Sequence, residues 1–570
     1  MMRRAAETRS ILLFTLLGVG LTGCAGSWMR PKEQHTSLEE LVDEEEANYV
    51  SAFTFPSGVS FVKIEAISLC TGLAGTGGDP PVTAQRAALM DEMKRRQIPS
   101  PNEVMSSSDT ALVLLRGLIP PGIQEGDRFD IEVRTPTRTE ATSLSGGWVL
   151  PARMSEMAVL GDSIRTGHEL ATCEGPILVD GVATDNADEN VMTRGRILGG
   201  GVALKSRPMG LMIDRSHQSV RLSTAIAKTI NDRFYAYRDG QRKGVATAKT
   251  DEYVELVLHP RYKENVGRFI KVVRNCTISE SPTELQERTT RLGAQLLDPM
   301  TAGKAALRLE AIGGDKAVEL LEQGLKSDDV EVRFYSAEAL AYLDKTTAVE
   351  PLADAARNEP ALRVNSLAAL SAMEDIVAYD ALRSLLGVNS AETRYGAFRA
   401  LWSMNSNDPL VRGERLSEKF SYHVLDVGGP PMVHVTRSYR PEVVLFGANQ
   451  RLQTPLVLDA GKNILINGMY GDEIIVSRIA AGEPEQKRVI EPTVDALVRT
   501  IVELGGAYPD VVQALRQAKR DGALASRFRV DALPETGREL HPGDEQLSPE
   551  EAGAAPYKVA TPMPDLFGKK

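Results

Sequence analysis

The sequence predicts an α+β multidomain protein made of three kinds of unit. Three observations carry this. Residues 51–277 mix period-two apolar alternation with helical apolar faces. Residues 284–406 turn rich in Ala and Leu and repeat themselves about every 30 residues. Residues 415 to about 482 return to short apolar runs broken by Gly, Pro and Asn, the pattern of a small β-rich unit.

The chain opens with a cationic head, Arg3, Arg4 and Arg9, followed by the apolar run Ile11–Leu21. Such a head, core and small-residue exit form a secretory signal, and the run is too short for a permanent membrane helix of roughly 20 residues. Its exit, Leu21-Thr-Gly-Cys24, resembles the lipobox of bacterial lipoproteins. That resemblance implies cleavage after residue 23 and lipidation of Cys24, and Ala25 in the next position implies passage to the outer membrane. Residues 24–50 hold Glu39, Glu40, Asp43, Glu44, Glu45 and Glu46 with few apolar residues, the composition of an extended acidic tether.

In the next segment, 51–277, Val59 to Ile67 alternates as a strand and Ala84 to Arg96 has helical spacing. Thr110 to Ile119 reads as a buried strand stopped by Pro120-Pro121. Phe129 to Arg134 alternates again, and Val220 to Phe234 gathers Leu222, Ala225, Ile226 and Ile230 on one helical face. Tyr253 to Leu258 reads as a further strand. In the repeat region, Arg333, Arg363 and Arg394 recur at the common interval, each followed by small or apolar residues at helical spacing. Asp315, Asp344 and Asp375 recur between the helices of each predicted pair. This region, 284–406, resembles short bacterial HEAT repeats, whose hairpins stack because none can bury its apolar face alone. The repeated Arg and Asp are expected to pair between hairpins and hold the stack. The unit 415–530 is expected to be β-rich and to end in two helices around Gly505-Gly506 and Pro509, and 534–570 to be a disordered Pro/Gly/Glu-rich tail.

Composition narrows the function. A net charge of −11 argues against a nucleic-acid partner, which needs clustered Lys and Arg. Aromatic residues at 5% leave little for base or sugar stacking. There is no His-Glu-x-x-His and no Cys-x-x-Cys, so no metal site or cofactor is expected. Beyond Cys24 three cysteines remain, Cys70, Cys173 and Cys276, an odd set whose pairing the spacing does not decide. The stretch Thr71 to Asp79 is Gly-rich between a strand and a helix but lacks the Gly-Lys-Ser/Thr of a phosphate loop. It reads as a tight turn using φ above zero.

The same stretch, Cys70-Thr-Gly72-Leu-Ala-Gly75-Thr-Gly77-Gly-Asp79, resembles a motif near the start of flagellar P-ring proteins. Four further segments follow in the family's order. They are Pro120-Pro121 with Gly126-Asp127 and Asp130, then Ser143-Leu-Ser-Gly146-Gly147, then Gly195-Arg196-Ile, then the helix from Val220 to Phe234. The resemblance covers about residues 59–275 and implies a P-ring-like α+β body in which these residues are structural and none is catalytic. It implies a secreted, non-enzymatic subunit that assembles with copies of itself into a ring around the flagellar rod at the peptidoglycan layer, as a passive bushing. With the lipobox it implies a periplasmic protein anchored to the outer membrane, next to the rod and the outer-membrane ring proteins of the basal body. The chain departs from the family in its lipobox and in everything after about residue 275. A lipid-anchored envelope scaffold that uses the repeats to bind protein is the alternative.

Overall fold

The computed structural model describes residues 48–534, apart from residues 161–162, 184–188, 239, 470 and 481. The signal segment with Cys24, the acidic residues up to 47 and the tail 535–570 lie outside the described residues. The described chain is α+β, with a barrel-like sheet, a helical region and a β-rich region in that order.

A 7-stranded sheet runs in the order Arg128–Arg134, Thr110–Ile119, Val62–Thr71, Trp148–Leu160, Ser163–Pro176, Arg194–Ala203 and Leu178–Val179. Arg128–Arg134 also pairs with Arg194–Ala203, so the sheet closes into a barrel. Closure removes the free strand edges of that circuit. Alternate residues point inward, and Ile64, Val113, Leu115, Phe129, Ile131, Met154 and Ile197 fill the interior. Gly117 and Gly201 make room there, because a Cβ at either would come within 2.9 Å of Phe129 or Ile131. Helices Ala84–Arg95 and Pro101–Met105 cover one flank, packing Leu89, Met93 and Met105 against Leu69 and Leu112.

A second, 4-stranded sheet joins Thr54–Ser57, Met209–Ile213, Tyr253–Leu256 and Ala246–Ala248. Helices Val220–Arg233 and Val266–Arg274 lie with it. The Ser219 hydroxyl caps the first, accepting from the Leu222 amide at 3.2 Å. Ile226, Ile230, Phe269 and Val273 share one continuous core with Leu309, Phe334, Leu340 and Leu367, which belong to the helices that follow. Residues 51–277 therefore contain the barrel core, a small cluster under the flank helices, and a third core that merges with the helical stack.

Eight helices form that stack: Pro282–Leu296, Pro299–Ile312, Asp315–Gly324, Val330–Tyr342, Val349–Asn358, Arg363–Ser371, Ile376–Leu385 and Ala391–Met404. Their starts carry local signals. Ser281 and Glu284 form a capping box, and Asp329, Asp375 and Ser390 cap three later helices. The C-terminal unit pairs a mixed 5-stranded sheet with a 4-stranded antiparallel meander, Leu456–Ala460, Ile464–Gly468, Ile474–Arg478 and Gln486–Ile490. Helices Val494–Glu503 and Tyr508–Arg520 bury Leu497, Ile501, Val511 and Leu515 in its core. The two helices were expected to end this unit, but the chain continues into strand Arg527–Val530, parallel to Met432–Val435. Its alternate arginines, Arg527 and Arg529, hide the strand pattern in the sequence.

Candidate functional site

The family-motif residues fall in three places rather than one. The first is a glycine corner at one end of the barrel. Gly72, Gly75 and Gly146 adopt φ of 78°, 75° and 73°, conformations that disfavour any other residue. A Cβ on Gly77 would lie 2.1 Å from the Thr110 carbonyl oxygen, and one on Gly147 would lie 2.4 Å from the Cys70 sulfur. The Thr142 amide donates to the Thr76 carbonyl at 2.8 Å and the Thr76 hydroxyl donates to the Ser143 carbonyl at 2.8 Å, tying the two glycine segments together. Asp79 pairs with Arg86 at 2.7 Å. The amides of Gly77 and Gly78 are already donated to Ser108 and Thr110 carbonyls at 2.7 and 3.0 Å. Those amides, which a phosphate would need, serve the turn.

Pro120, Pro121, Gly126 and Asp127 form the second place, a turn at the far end of the barrel. Arg207 gathers it by donating to the carbonyls of Ser60, Ile119 and Pro120 at 3.1, 3.2 and 3.3 Å. The Gly126 amide donates to the Ala203 carbonyl at 2.8 Å, and the Asp127 carboxylate accepts from the Gln124 amide at 2.8 Å.

The third place is the seam where the barrel closes. Gly195 must be small there, since a Cβ would lie 2.5 Å from the Leu178 carbonyl oxygen. Arg196 stands opposite Glu132 in register. Asp130 accepts from the Gly199 amide at 2.8 Å, and its second oxygen accepts from the Tyr439 amide of the C-terminal unit. Burial raises the Asp531 carboxyl above its ordinary range, while Arg437 and Arg196 pull against that rise. Leu178 belongs to the core of the C-terminal unit, Arg516 donates to the Gly181 carbonyl at 3.0 Å, and Lys462 donates to the Gly72 carbonyl at 2.8 Å. The seam and the glycine corner are thus the barrel's contact with the C-terminal unit.

Two buried carboxylates fasten the helical stack at its two ends. Glu310, fully buried, accepts from the Tyr262 hydroxyl at 2.6 Å and from Arg268 at 3.1 and 2.5 Å. Arg268 also meets Glu338 at 2.7 Å and lies over the Tyr342 ring at 4.7 Å. Burial alone would lower the Arg268 pKa, but Glu310 and Glu338 outweigh it and hold the guanidinium charged. At the other end Glu442 accepts from the Tyr395 hydroxyl at 2.7 Å and from Arg399 at 3.2 Å, with His423 at 3.6 Å. Burial opposes the Glu442 charge, but Arg399, His423 and Arg440 overcome it and bring the carboxyl down to about 2. Burial also depresses His434, stacked 3.7 Å from Tyr395, to about 3.

Between these joints one segment of the first unit crosses the stack. Arg261 pairs with Asp344 at 3.1 Å and Glu374 at 3.7 Å, Tyr262 stacks on Tyr342 at 4.7 Å, and Glu264 accepts from Ser403 at 2.6 Å. Successive hairpins thus grip residues 261–268. The repeated arginines act differently from the expected Arg–Asp pairing. Arg333, Arg363 and Arg394 donate to the carbonyls of Ser327, Ala356 and Leu386, at or just past the end of the preceding helix, at 2.8, 3.0 and 2.7 Å. They satisfy acceptors that a helix end leaves open. Of the recurring aspartates, Asp375 caps its helix and Asp344 accepts from the Glu374 amide at 3.1 Å, across to the next hairpin.

The three cysteines are buried and unpaired, and burial pushes each thiol up to about 12. Sequence reasoning missed Tyr262, Arg268, Glu310, Tyr395 and Glu442. The available signal was a charged residue on an otherwise apolar helix face, as with Glu310 inside Ala-Ala-Leu-Arg-Leu-Glu-Ala-Ile.

Comparison with known proteins fits this division. Residues 56–287 match the family model for the flagellar P-ring protein, and residues 318–402 match that for HEAT repeats. A flagellar P-ring protein of Oleidesulfovibrio alaskensis is 24% identical over 236 residues, covering 40% of this chain and 60% of the relative. One of Geobacter sulfurreducens is 25% identical over 246 residues, covering 41% and 62%. One of Thermotoga maritima is 22% identical over 238 residues, covering 40% and 66%. The chain thus spans about 60% of the length of these curated relatives. The barrel, the second sheet and their helices thus lie in the part that is similar to flagellar P-ring proteins, residues 56–287, and the stack that follows holds the part similar to HEAT repeats, residues 318–402.

Proposed function

We propose that the chain is a structural, non-enzymatic subunit of a bacterial flagellar basal body, lipid-anchored through Cys24. In this reading it is a periplasmic protein held at the outer membrane. Copies assemble into a ring around the rod at the peptidoglycan layer, with rod and outer-membrane ring proteins as neighbours. The observation that carries the reading is the P-ring match over a closed barrel whose motif glycines and aspartates serve turns and seams. A bushing needs a stiff body and no reacting group, and the buried carboxylate joints supply stiffness. The lipobox supports the anchor.

The test is electron microscopy of protein extracted in mild detergent from its native membranes, with mass analysis of the N-terminal peptide. Closed rings, or basal bodies that carry the chain, are the expected result, with acyl groups on Cys24. Monomers free of flagellar proteins would overturn the ring reading and favour the envelope scaffold. An unmodified Cys24 would overturn the anchor alone.

A further inference from the structure

A ring built head to tail needs two different surfaces on each copy, placed apart and matched to each other. We propose that, in the ring reading above on which this inference rests, the outer face of the C-terminal meander of one copy docks on the Phe61/Leu118 end of the next copy's barrel.

The meander breaks the rule for a half-buried antiparallel sheet. Its inner residues Leu458, Ile466, Ile474 and Val476 are buried on the two helices, so its outer positions should be polar. Half of them are apolar instead: Val457, Leu465, Ile475 and Val489, between 37% and 60% exposed, share the outer face with Asn467, Asp459, Ser477 and Lys487. Register places Val457, Asn467, Ile475 and Val489 in one row across all four strands. Four strands at about 4.8 Å spacing make that row roughly 14 Å wide. An exposed apolar stripe of this kind suits a protein surface better than water.

The barrel offers the matching surface. Phe61 is 61% exposed and Leu118 is 45% exposed. Lys63 pairs with Leu118 in register, so these two share the outer face of adjacent strands, and Phe61 stands just before the first of them. The rims are complementary. Lys487 and Arg488 are exposed on the meander's edge strand, while exposed Glu125 lies in the turn after Pro120-Pro121 at the same barrel end as Phe61.

Placement decides against a contact within one chain. The meander's turn at Lys462 holds the Gly72 carbonyl, just past the C-terminal end of strand Val62–Thr71. Phe61 precedes the other end of that strand. Ten residues of strand separate these points by about 33 Å. The two apolar surfaces therefore lie at opposite ends of the barrel, as the head and tail of a ring subunit must. The meander also lies outside the part matched by the P-ring family, so this contact uses structure that the domain alone lacks.

The experiment is cysteine cross-linking of the full mature chain extracted from membranes, with a short bis-maleimide. Two single variants, Phe61→Cys and Ile475→Cys, are mixed, and the double variant is run alone. The native thiols at Cys70, Cys173 and Cys276 are buried and stay unlinked, and the parent chain run alongside reports any link through Cys24. Dimers in the mixture, and a ladder of higher multiples in the double variant, are the expected result. Rings visible by microscopy without cross-links would overturn this docking while leaving the ring reading intact. Monomers throughout, without cross-links, would remove both. A second variant, Ile475→Glu with Val489→Glu, lies on the exposed face and should melt as the parent does. It should lower the assembled fraction by an order of magnitude or more, and unchanged assembly would also overturn the proposal.

Discussion

Replacing Glu310 with Gln tests whether the first joint holds the stack to the part that matches the P-ring family. The substitution keeps an oxygen for the Tyr262 hydroxyl. It puts an amide donor where Arg268 now donates two charge-assisted hydrogen bonds, at 3.1 and 2.5 Å. Arg268 is 1% exposed and keeps Glu338 at 2.7 Å and the Tyr342 ring beneath it. Breaking a buried pair by removing one partner costs about 3–5 kcal/mol, and the surviving Glu338 contact places this case near the lower end, about 3 kcal/mol. That is roughly a 150-fold shift in the opening equilibrium of the joint. The assay is hydrogen exchange of helices Val266–Arg274 and Pro299–Ile312, together with urea unfolding followed by tryptophan emission. A multiple variant, Tyr262→Phe, Arg268→Met, Glu310→Leu and Glu338→Leu, removes the charged set together with the hydroxyl that Glu310 accepts from. It should recover most of the loss, because well-packed apolar groups replace buried ion pairs at little cost. A Glu310→Gln protein within about 0.5 kcal/mol of the parent, a typical surface-substitution effect, would refute this account of the joint. So would a multiple variant as weak as the single one.

Four further outcomes are expected. Glu442 sits at about 2 in the folded chain, below its ordinary 4.5, so its contribution is present above pH 4.5 and is lost as pH falls from there toward 2. His434, held at about 3 against 6.5, works in the same direction from pH 6.5 downward, because only the unfolded chain takes up the proton. Acid titration followed by near-ultraviolet circular dichroism should therefore show the second joint weakening from about pH 6.5, and a flat profile down to pH 4 would contradict it. Gly77→Ala should disrupt the barrel corner, since the new Cβ would meet the Thr110 carbonyl oxygen at 2.1 Å. Gly75→Ala, with φ of 75° but open space around it, should cost only about 1–2 kcal/mol. Thermal melting of the pair separates the cases, and equal losses would show that crowding at Gly77 is relieved elsewhere. Arg394→Ala strips donors from the carbonyls of Leu386, Gly428 and Pro430 and should cost about 2–3 kcal/mol. Arg394→Lys should recover little of it, because one ammonium cannot reproduce the planar fork. Finally, the thiols of Cys70, Cys173 and Cys276 should ignore a thiol reagent at pH 8 until the chain unfolds; fast labelling of native Cys70 or Cys173 would show that the barrel opens, and of Cys276 that the core beneath the stack does.

Local pattern made some elements legible. Strand Thr110–Ile119 has the bounds that its apolar run and the following Pro120-Pro121 set, and helix Val220–Arg233 ends one residue short of its pattern. The helical hairpins were readable because Ala and Leu repeat at a fixed period. Strands Trp148–Leu160 and Ser163–Pro176 were not singled out, and three register shifts break their pairing and blur the period of two. Arg194–Ala203 showed only its Gly195-Arg196 motif, although it closes the barrel. The joints stayed hidden for a different reason. Tyr262 and Arg268 reach Glu310 from 48 and 42 residues away, and no local period connects them. Motif glycines were legible as turns, whereas the contact of Asp130 with Tyr439, across 309 residues, required the fold.

The closed circuit from barrel to stack to C-terminal unit and back to barrel has a mechanical consequence. An open chain of three units bends at whichever joint is softest, and a side load on one end swings the rest as a lever. Here the Lys462, Arg516 and Asp130 contacts act as the third side of a triangle. A braced triangle deforms only by stretching a side, so a lateral push divides between two load paths. Slackening one corner, by acid at Glu442 for example, would leave the other path bearing the load.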